Sequence, residues 1–321
     1  MMPAKVLVIG GGGFVGSCLV SRLAKQGIQA TVPTRRREKR KSLSLLPGVE
    51  LLAANVHDPM DLEEMVAEAD AVINLSGMLH DRDSRAPYGR NFAAAHVELP
   101  EKIVAAMKRT GVRRLLHVST VGAAENAPSA FYRSKAAGDA IVLNASDTLD
   151  VTVFRPSLIF GPGDSCLNLF ALLMEFAPFL LLSCTKTRFQ PVYVGDVADA
   201  LICALDRSDT FGNVYELCGP RIYTLRQLVE YVGELTGRRR PVIELTGALA
   251  RLQAKLLGFL PNPPMSPDSL RSLQIDNVAD GHLNFPVWQP QSLEAVAPTY
   301  LGPSKSKARL SEFRARHTLH S

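Results

Sequence analysis

The residues best suited to proton transfer lie in the stretch Ser-Ala-Phe-Tyr-Arg-Ser-Lys at 129–135. A tyrosine phenol can act as a general acid when a neighbouring cation lowers its pKa, and Lys135 follows Tyr132 by three positions. In a helix each residue advances about 100°, so Tyr132 stands about 60° from Lys135. Phe131 lies about 40° from the lysine on the other side and has no proton to give. The spacing therefore predicts a lysine with an apolar neighbour and a displaced phenol.

A cluster of glycines is suited to binding phosphate. The run Gly-Gly-Gly-Gly-Phe-Val-Gly at 10–16 follows an apolar run and opens a helical pattern. Without Cβ atoms the backbone can turn tightly and approach a pyrophosphate, while N–H groups of the helix N-terminus point at the anion. We predict a dinucleotide-binding loop whose contacts come from Gly10, Gly13, Phe14, Val15 and Gly16.

The residues after the second apolar run indicate which dinucleotide binds. An acidic residue there accepts hydrogen bonds from the adenosine ribose of NAD, but this chain has Arg35 and Arg36 at that place. Two guanidinium groups suit a 2′-phosphate, to which they donate charge-assisted hydrogen bonds. The pair favours NADP(H) over NAD(H), and a solvated basic turn is the alternative.

The elements that must position these residues alternate between strand and helix in the first half of the chain. Near-continuous runs of Val, Ile and Leu are typical of strands buried on both faces of a parallel sheet. Such runs occupy 5–10, 28–32, 49–54, 71–76, 114–119 and 151–156. Helical patterns fill the intervals, with Asp58 as the N-cap of one helix and Gly111 at the end of another. The pattern predicts an α/β fold with a Rossmann-type, doubly wound parallel sheet.

The second half of the chain is less regular and richer in proline. Helices are predicted at 224–237 and 246–260 without a strand between them. We predict a smaller, mostly helical C-terminal lobe beside the dinucleotide-binding domain. The predicted ranges are 1–160 plus about 191–212 for the domain, 161–190 plus 213–300 for the lobe, and 301–321 for a basic tail.

Composition and charge narrow the functional classes. The 321 residues are 46% hydrophobic and 21% charged, a balance that can bury a core. Basic residues concentrate at Arg35–Lys41 and Lys305–Arg316, and they are not interleaved with aromatic residues as in nucleic-acid-binding modules. The five cysteines lack the spacing of a metal site or a disulfide framework, which predicts reduced thiols. The apolar stretch at 169–182 is too short to span a bilayer.

The motifs, taken in order, resemble the extended and atypical short-chain dehydrogenase/reductases, the NAD-dependent epimerase/dehydratase family, over about residues 4–300. A closer resemblance is to the branch of complex I accessory-subunit-like proteins. After the glycine loop, the matching stretches are Asn-Val-His-Asp at 55–58, Ile-Asn-Leu-Ser-Gly at 73–77, His-Val-Ser-Thr at 117–120, Lys135, and the segments 155–171, 189–200 and 293–301.

The resemblance implies roles for the residues that match. The glycine loop would hold the pyrophosphate, and Lys135 would hold the nicotinamide ribose. Thr120, which follows Ser119, would orient a substrate carbonyl or alcohol. The remaining implied contacts are Asn55 and Val56 at the adenine, Leu75, Ser76 and Gly77 along the ribose path, and Pro156 and Ile159 near the nicotinamide.

The family places its catalytic tyrosine four positions before the lysine, where this chain has Phe131. The candidate catalytic residues are therefore Thr120, Lys135 and Tyr132, and Tyr132 would need a local unwinding of the helix to reach the nicotinamide. The motif predicts cofactor binding better than turnover.

Three functions fit this combination. The first is an NADP(H)-binding protein, weakly catalytic or non-catalytic, associated with respiratory complex I or its assembly. The second is an active reductase or epimerase acting on a nucleotide-sugar-like or quinone-like substrate. The third is a redox sensor that responds to the NADP(H) ratio. Phe131 favours the first and the third.

The predicted helix at 246–260 also bears on partners, because its apolar residues are combined with Arg251 and Lys255. Such a helix can lie on an anionic membrane surface or contact a membrane protein, and an ordinary helix packed on its own core is the alternative. We expect a cytoplasmic protein, peripheral to the inner membrane, with a respiratory-complex or membrane-surface partner.

Overall fold

The computed structural model of the chain describes residues 2–81, 87–259, 263, 265–281, 283–286 and 288–302. The predicted basic tail at 301–321 therefore lies almost wholly outside the described residues. Contacts divide the chain into two compact units. The first comprises Met1–Pro156, Val194–Leu217 and Asp280–Trp288, and the second comprises Ser157–Tyr193, Cys218–Ala279 and Gln289–Ser321.

The first unit is built on one sheet of eight strands, all parallel. The strands are β1 (Lys5–Ile9), β2 (Gln29–Pro33), β3 (Val49–Leu52), β4 (Ala71–Asn74), β5 (Arg114–Val118), β6 (Asp150–Pro156), β11 (Asn213–Leu217) and β14 (Leu283–Asn284). Their spatial order is β14-β11-β6-β5-β4-β1-β2-β3. The predicted doubly wound parallel sheet is confirmed.

The strand order explains where a ligand can bind. The chain proceeds from β1 to β2 and β3 on one side, then returns to place β4, β5 and β6 on the other side of β1. This reversal leaves a crevice beyond the carboxyl ends of β1 and β4, where ligands of such sheets bind. The central strands are buried on both faces, and Val6, Leu7 and Val8 are fully buried in succession.

Helices cover the sheet within the first unit. They are α1 (Phe14–Lys25), α2 (Pro59–Ala67), α3 (Arg90–Ala93), α4 (Leu99–Thr110), α5 (Ala130–Leu143) and α7 (Val194–Ala204), with short helical turns at Arg37–Arg40, Ala94–Glu98 and Ser208–Thr210. The predicted helix ends are confirmed, because the side chain of Asp58 accepts from two N–H groups of α2 and Gly111 ends α4 at φ 79°.

The second unit combines short strands with helices. Its strands form three two-stranded sheets: β7 (Ile159–Phe160) with β10 (Val192–Tyr193), β8 (Leu180–Ser183) with β13 (Val242–Leu245), and β9 (Arg188–Phe189) with β12 (Tyr223–Thr224). Its helices are α6 (Leu167–Phe176), α8 (Leu225–Thr236), α9 (Gly247–Gly258), α10 (Pro267–Ser272), α11 (Leu293–Val296) and α12 (Pro298–Leu301). None of the helices in the described part of the chain is long and apolar enough to cross a bilayer.

Three details of the predicted organisation differ from the structure. The prediction places the segment 213–217 in the lobe, but as β11 it pairs with β6 in the main sheet. It also places β14 in the lobe, but β14 pairs with β11 in the same sheet. The predicted helices at 224–237 and 246–260 are separated by a strand after all, because β13 pairs with β8. These strands are two to five residues long, so none of them shows a clear alternation in the sequence.

A buried carboxylate organises the second unit. The side chain of Asp164 accepts from the N–H of Leu167 at the start of α6 and from the hydroxyl of Tyr300 in α12 at 2.9 Å. Burial raises the pKa of Asp164, while these donors oppose the rise. The 160–171 and 293–301 stretches, which are far apart in sequence, are therefore joined by one hydrogen bond.

Candidate dinucleotide site

The glycine loop lies at the carboxyl end of β1 and leads directly into α1. Gly10 has φ +82°, and a Cβ on it would lie 3.0 Å from the carbonyl carbon of Leu75. A Cβ on Gly16 would overlap the carbonyl oxygen of Gly10. Only glycine fits at these two positions, because the loop must pack against β4 and against itself.

The N-terminus of α1 is arranged as an anion site. Gly13 is the N-cap residue, and no side chain caps the helix. The first turn, which includes Phe14, Val15 and Gly16, also contains no acidic residue. Backbone N–H groups of such a turn have no acceptor within the helix and carry the positive end of its dipole. The loop therefore fits a pyrophosphate.

The basic turn after β2 approaches the same loop. Arg35 and Arg36 are exposed, and the N–H of Arg36 donates to the hydroxyl of Thr34. Arg40 was not predicted as a site residue, yet its side chain lies against the loop: a Cβ on Gly12 would be 2.9 Å from Arg40 Nε. The short helical turn Arg37–Arg40 returns the chain towards the glycines, which a linear reading of a basic run cannot show.

Asn55 and Val56 follow β3 and lead into α2. The N–H of Asn55 donates to the carboxylate of Asp61, and its side-chain oxygen accepts from the N–H of His57. Val56 is half-buried and packs on the core of the first unit. The Asn55 side chain is thus engaged in shaping its own turn, and its role towards an adenine remains a prediction.

The stretch after β4 forms the floor beside the loop. Leu75 donates its N–H to the carbonyl of Ile9, which continues the pairing of β4 with β1. Ser76 donates through its N–H to the side-chain oxygen of Asn74 at 3.0 Å. A Cβ on Gly77 would lie 3.4 Å from Lys135 Nζ and 3.8 Å from His96 Nε2. Gly77 therefore lies directly beside the buried lysine, and a side chain at this position would contact Nζ.

Lys135 is held at the centre of the site. Its ammonium donates to the carbonyls of Val118 at 3.1 Å and Ser76 at 3.3 Å, so two of its N–H groups fix its position. The side chain is buried, and burial lowers the pKa of Lys135 to about 8 while the charge of Asp139 opposes the shift. The geometry fits a lysine that presents its third N–H to a ligand hydroxyl.

Phe131 lies one turn before Lys135 in an aromatic group. Its ring is 6.0 Å from that of Phe92 and 5.7 Å from that of His96, and the Phe92 and His96 rings stack at 5.4 Å. Tyr132 is only 6% exposed, and its ring lies 5.4 Å from Phe131. α5 is regular through this region, so the local unwinding that Tyr132 would need is not present.

Sequence reasoning missed His96. It lies in the π-helical turn Ala94–Glu98, where the helix is locally widened. Its Nε2 accepts from the N–H of Met78, so its Nδ1 carries the proton and donates to Ser134 Oγ at 2.8 Å. Burial lowers the pKa of His96 to about 2. His96 is therefore a neutral wall of the site, held in one tautomer.

Ser119 and Thr120 follow β5, as the sequence predicted. The hydroxyl of Thr120 donates to the carbonyl of Val121 at 3.2 Å, and Ser119 is buried. Pro156 ends β6 and is buried beside them, since its carbonyl accepts from the N–H of Val121. Ile159 belongs to the second unit, where it pairs with Val192 in the β7–β10 sheet. Their catalytic and nicotinamide-binding roles stay predictions.

Beneath Lys135 lies a second group that sequence reasoning missed. His117 of β5 and Asp139 of α5 are both buried, with Nε2 and Oδ1 separated by 3.6 Å. The other oxygen of Asp139 accepts from Arg155 of β6 at 2.9 Å. Asp139 follows Lys135 by four positions, a spacing that places both on one face of a helix and could have drawn attention to it.

Comparison with known proteins identifies the family. A sequence model described as the NAD dependent epimerase/dehydratase family matches residues 6–218, more than half of the chain. The chain belongs to this family. The match includes the glycine loop, β4, Lys135 and the sheet from β1 to β11, so the predicted family is confirmed. The arrangement of these residues fits a bound nicotinamide dinucleotide.

The similar proteins include subunits of a respiratory enzyme. The chain is 33% identical over 297 residues to "NADH dehydrogenase (ubiquinone) 1 alpha subcomplex subunit 9, mitochondrial" of Arabidopsis thaliana, covering 87% of this chain and 72% of that protein. The mouse protein of the same name is 31% identical over 277 residues, covering 84% and 72%. The fold is similar to that of Bordetella bronchiseptica WbmF in complex with NAD+, with a TM-score of 0.71, 19% identity and coverage of 99% and 97%.

The arrangement can bind and orient a dinucleotide with its own residues. The glycine loop would hold the pyrophosphate through backbone N–H groups, and Lys135 would hold the ribose of the nicotinamide. The nicotinamide, when bound, supplies hydride chemistry. Four positions before Lys135, where the resemblance implies a proton-donating tyrosine, the chain has Phe131.

Proposed function

We propose that this chain is an NADP(H)-binding protein, weakly catalytic or non-catalytic, that associates with a membrane-bound respiratory NADH dehydrogenase or with its assembly. One observation carries the non-catalytic part. The glycine loop, Gly77 and Lys135 have the geometry of a cofactor site, whereas Phe131 is packed against Phe92 and His96 on the face next to the lysine. The chain keeps the parts that bind and lacks the part that would donate a proton.

The preference for NADP(H) rests on the basic turn. Arg35, Arg36 and Arg40 are in or beside the turn that follows β2, and no acidic side chain is present at its start. Each charge-assisted hydrogen bond to a 2′-phosphate contributes about 1.5–3 kcal/mol. NADPH is expected to bind more than about tenfold tighter than NADH.

Titration of the purified protein with NADPH and with NADH, followed by nicotinamide fluorescence, tests the cofactor proposal. Turnover of the bound NADPH is measured in the same samples with a panel of carbonyl and quinone substrates. Tight binding with little or no turnover supports the proposal. Equal affinity for the two dinucleotides would remove the NADP(H) preference, and rapid turnover would favour the active reductase or epimerase instead.

The proposed association is supported by the names of the relatives and by a surface of the second unit. Along α9 and at the residue that follows it, four apolar side chains are exposed: Leu249 (62%), Leu252, Leu256 and Phe259 (73%). Their spacing places them on one side of the helix, while Ala250 and Ala254 face the core. An exposed apolar stripe of this kind marks a contact surface.

Charge indicates what the α9 surface contacts. The twelve residues of α9 include Arg251 and Lys255 and no acidic residue. Basic side chains next to apolar ones suit the headgroups and acyl boundary of an anionic bilayer. We therefore assign this face to an anionic membrane surface, which would place the protein on the cytoplasmic side of the inner membrane beside a membrane-bound partner.

Vesicle flotation tests the membrane contact. The full chain is expected to float with vesicles that contain anionic phospholipid and to remain unbound with vesicles of neutral phosphatidylcholine. Leu252→Glu should abolish flotation, whereas Leu45→Glu, a matched change at an exposed leucine of the first unit, should not. Flotation that is unaffected by Leu252→Glu, or binding only to a purified respiratory complex, would overturn the lipid assignment.

A further inference from the structure

The polar groups beneath Lys135 form a buried cluster. Asn74 of β4, His117 of β5 and Asp139 of α5 are 1–2% exposed, and Arg155 of β6 pairs with Asp139 from the far side. Burying so many polar atoms costs free energy unless each has a defined partner. Hydrogen bonds link Ser76, Asn74 and His117, an ion pair links Asp139 to Arg155, and 3.6 Å separates His117 Nε2 from Asp139 Oδ1.

Asn74 fixes the tautomer of His117. The side-chain oxygen of Asn74 accepts from the N–H of Ser76 at 3.0 Å, so its amide nitrogen must be the group 3.1 Å from His117 Nδ1. That nitrogen donates, and Nδ1 of His117 therefore accepts. The proton of the neutral ring is on Nε2. Burial agrees with a neutral ring, since it lowers the pKa of His117 to about 3.

The protonated Nε2 of His117 faces Asp139. Asp139 Oδ1 is 3.6 Å away, and Oδ2 is held by the guanidinium of Arg155 at 2.9 Å. Within the described part of the chain, His117 Nε2, Ser119 Oγ and Asp139 Oδ1 lack a closer hydrogen-bond partner. Burial raises the pKa of Asp139, while Arg155 and the hydroxyl of Ser119 oppose the rise. The guanidinium of Arg155, 2.9 Å from Oδ2, pairs with the ionised form of this carboxylate and stabilises it against the effect of burial.

Lys135 is a titratable group that this carboxylate influences, because the charge of Asp139 raises the pKa of the lysine against the effect of burial. Both residues are buried on α5, four positions apart and on one face of the helix. The other titratable groups that face the lysine are His96 of the π-helical turn and His117 of β5. Each of these histidines uses one ring nitrogen as an acceptor, so both are neutral. The charged groups of the cluster are therefore Lys135, Asp139 and Arg155.

We propose that Asp139, oriented by His117 and Arg155, is a positioning residue that keeps Lys135 protonated and so sets the pH range over which the dinucleotide binds. The inference rests on the proposed binding of a dinucleotide. An ammonium is a stronger donor to a ribose hydroxyl than a neutral amine. Affinity is expected to fall as the pH rises through about 8, where Lys135 loses its proton.

The first experiment measures the Kd of NADPH between about pH 6.5 and 9.5, a range that spans the proton loss of Lys135. In the wild-type protein the affinity should decrease with an inflection near pH 8. In Asp139→Asn the inflection should move down by about one pH unit, because an opposite charge near the ammonium is removed. Asp150→Asn, which removes a carboxylate paired with Arg113 near the surface, is the matched control and should keep the wild-type profile. Identical profiles for Asp139→Asn and the wild type would overturn the proposal.

A second experiment needs no dinucleotide. The folded-state pKa of Lys135 is depressed below the unfolded value, so the unfolded chain binds more protons between the two pKa values and stability rises with pH there. The melting temperature of the wild type, relative to Lys135→Met, should therefore increase from about pH 8 upwards. The same comparison is made in the Asp139→Asn background, between the single variant and the double variant that also carries Lys135→Met. There the increase in relative melting temperature should begin at a lower pH.

The two experiments separate the possible failures. Absence of NADPH binding at every pH would refute the proposed function, and the stability comparison would still test the role of Asp139. If NADPH binds but the melting profiles of the two pairs coincide, the proposed function stands and the inference about Asp139 is wrong.

Discussion

Two neighbouring regions of the first unit differ in whether their packing suits a ligand. In the binding region, made of the glycine loop, Gly77 and Lys135, close packing leaves room only for glycine at two loop positions, and the buried lysine is held by two carbonyls. In the aromatic region, made of Phe92, His96 and Phe131, three rings pack within 6.0 Å of one another. The first region is shaped for a ligand, and the second is filled by the protein itself.

Under the proposed function, this difference would let the fold keep cofactor binding without the chemistry. Pyrophosphate is held by backbone groups and a helix dipole, which depend on glycine and on the sheet. A proton is donated by a single hydroxyl, which one substitution removes. The aromatic region adjoins the binding region, because Phe131 lies one turn before Lys135. Adding a hydroxyl to Phe131 is therefore the smallest change that would alter the aromatic region and leave the binding region as it is.

Phe131→Tyr should produce the largest change. A phenol there would gain a cationic neighbour, Lys135, that lowers its pKa, and general acid catalysis contributes about 10²–10⁴-fold. Residual oxidoreductase activity is expected to increase by at least about tenfold, while NADPH affinity stays the same. Steady-state rates on a panel of carbonyl substrates measure the effect.

Tyr132→Phe is the matched control for this prediction, since it removes the neighbouring hydroxyl from a buried side chain. It should leave the residual activity unchanged. If instead the wild type is active and Tyr132→Phe alone abolishes turnover, the phenol of Tyr132 is the acid and the comparison between the two regions fails.

Replacing both Arg35 and Arg36 by alanine tests the binding region without altering the aromatic region. The change removes two exposed cations from the turn after β2 and touches no group near Lys135. NADPH affinity should fall by more than about tenfold with NADH affinity unchanged, because only NADPH carries the 2′-phosphate. Isothermal titration calorimetry with NADPH and with NADH measures both affinities.

The matched control is Arg37→Ala, which removes an exposed cation of the same basic run one position beyond the pair. It should leave both affinities unchanged. Loss of NADPH binding in Arg37→Ala as large as in the double variant would indicate a general electrostatic effect of the run rather than recognition of a 2′-phosphate.

The sequence predicted those parts of the site that depend on local patterns. Apolar runs indicated the strands, the glycines indicated the loop, and the spacing from Lys135 placed Phe131 rather than Tyr132 next to it. The helix ends at Asp58 and Gly111 follow from capping chemistry, which acts within a few residues. Each of these features is determined by residues that are close to it in the sequence.

The parts that could not be predicted depend on contacts between distant segments. His96 lies beside Gly77 in a π-helical turn before α4, and neither the turn nor this position has a sequence pattern. The His117–Asp139 approach joins a strand to a helix, and Arg155 completes it from a third element. β11 lies in the main sheet rather than in the predicted lobe, because a five-residue strand is ambiguous without its neighbours.

The smallest predicted effect concerns the start of α5, the helix that carries both Phe131 and Lys135. Ser129 is fully buried, and its hydroxyl oxygen accepts from the N–H of Tyr132. Ser129→Ala removes this N-cap and should lower the free energy of unfolding by about 1 kcal/mol. Calorimetry should show a decrease in melting temperature of about 2–4 °C.

Ser292→Ala is the matched control, because Ser292 caps α11 in the second unit with the same hydrogen bond at 3.3 Å. Both variants should lose similar stability, but only Ser129→Ala should also weaken NADPH binding, by about twofold to threefold, since the first turn of α5 frays next to Lys135. A loss of affinity in Ser129→Ala that exceeds the loss in the double arginine variant would show that the two regions are not independent. The aromatic region would then help to hold Lys135 in place, and Phe131 would contribute to binding as well as remove the proton donor.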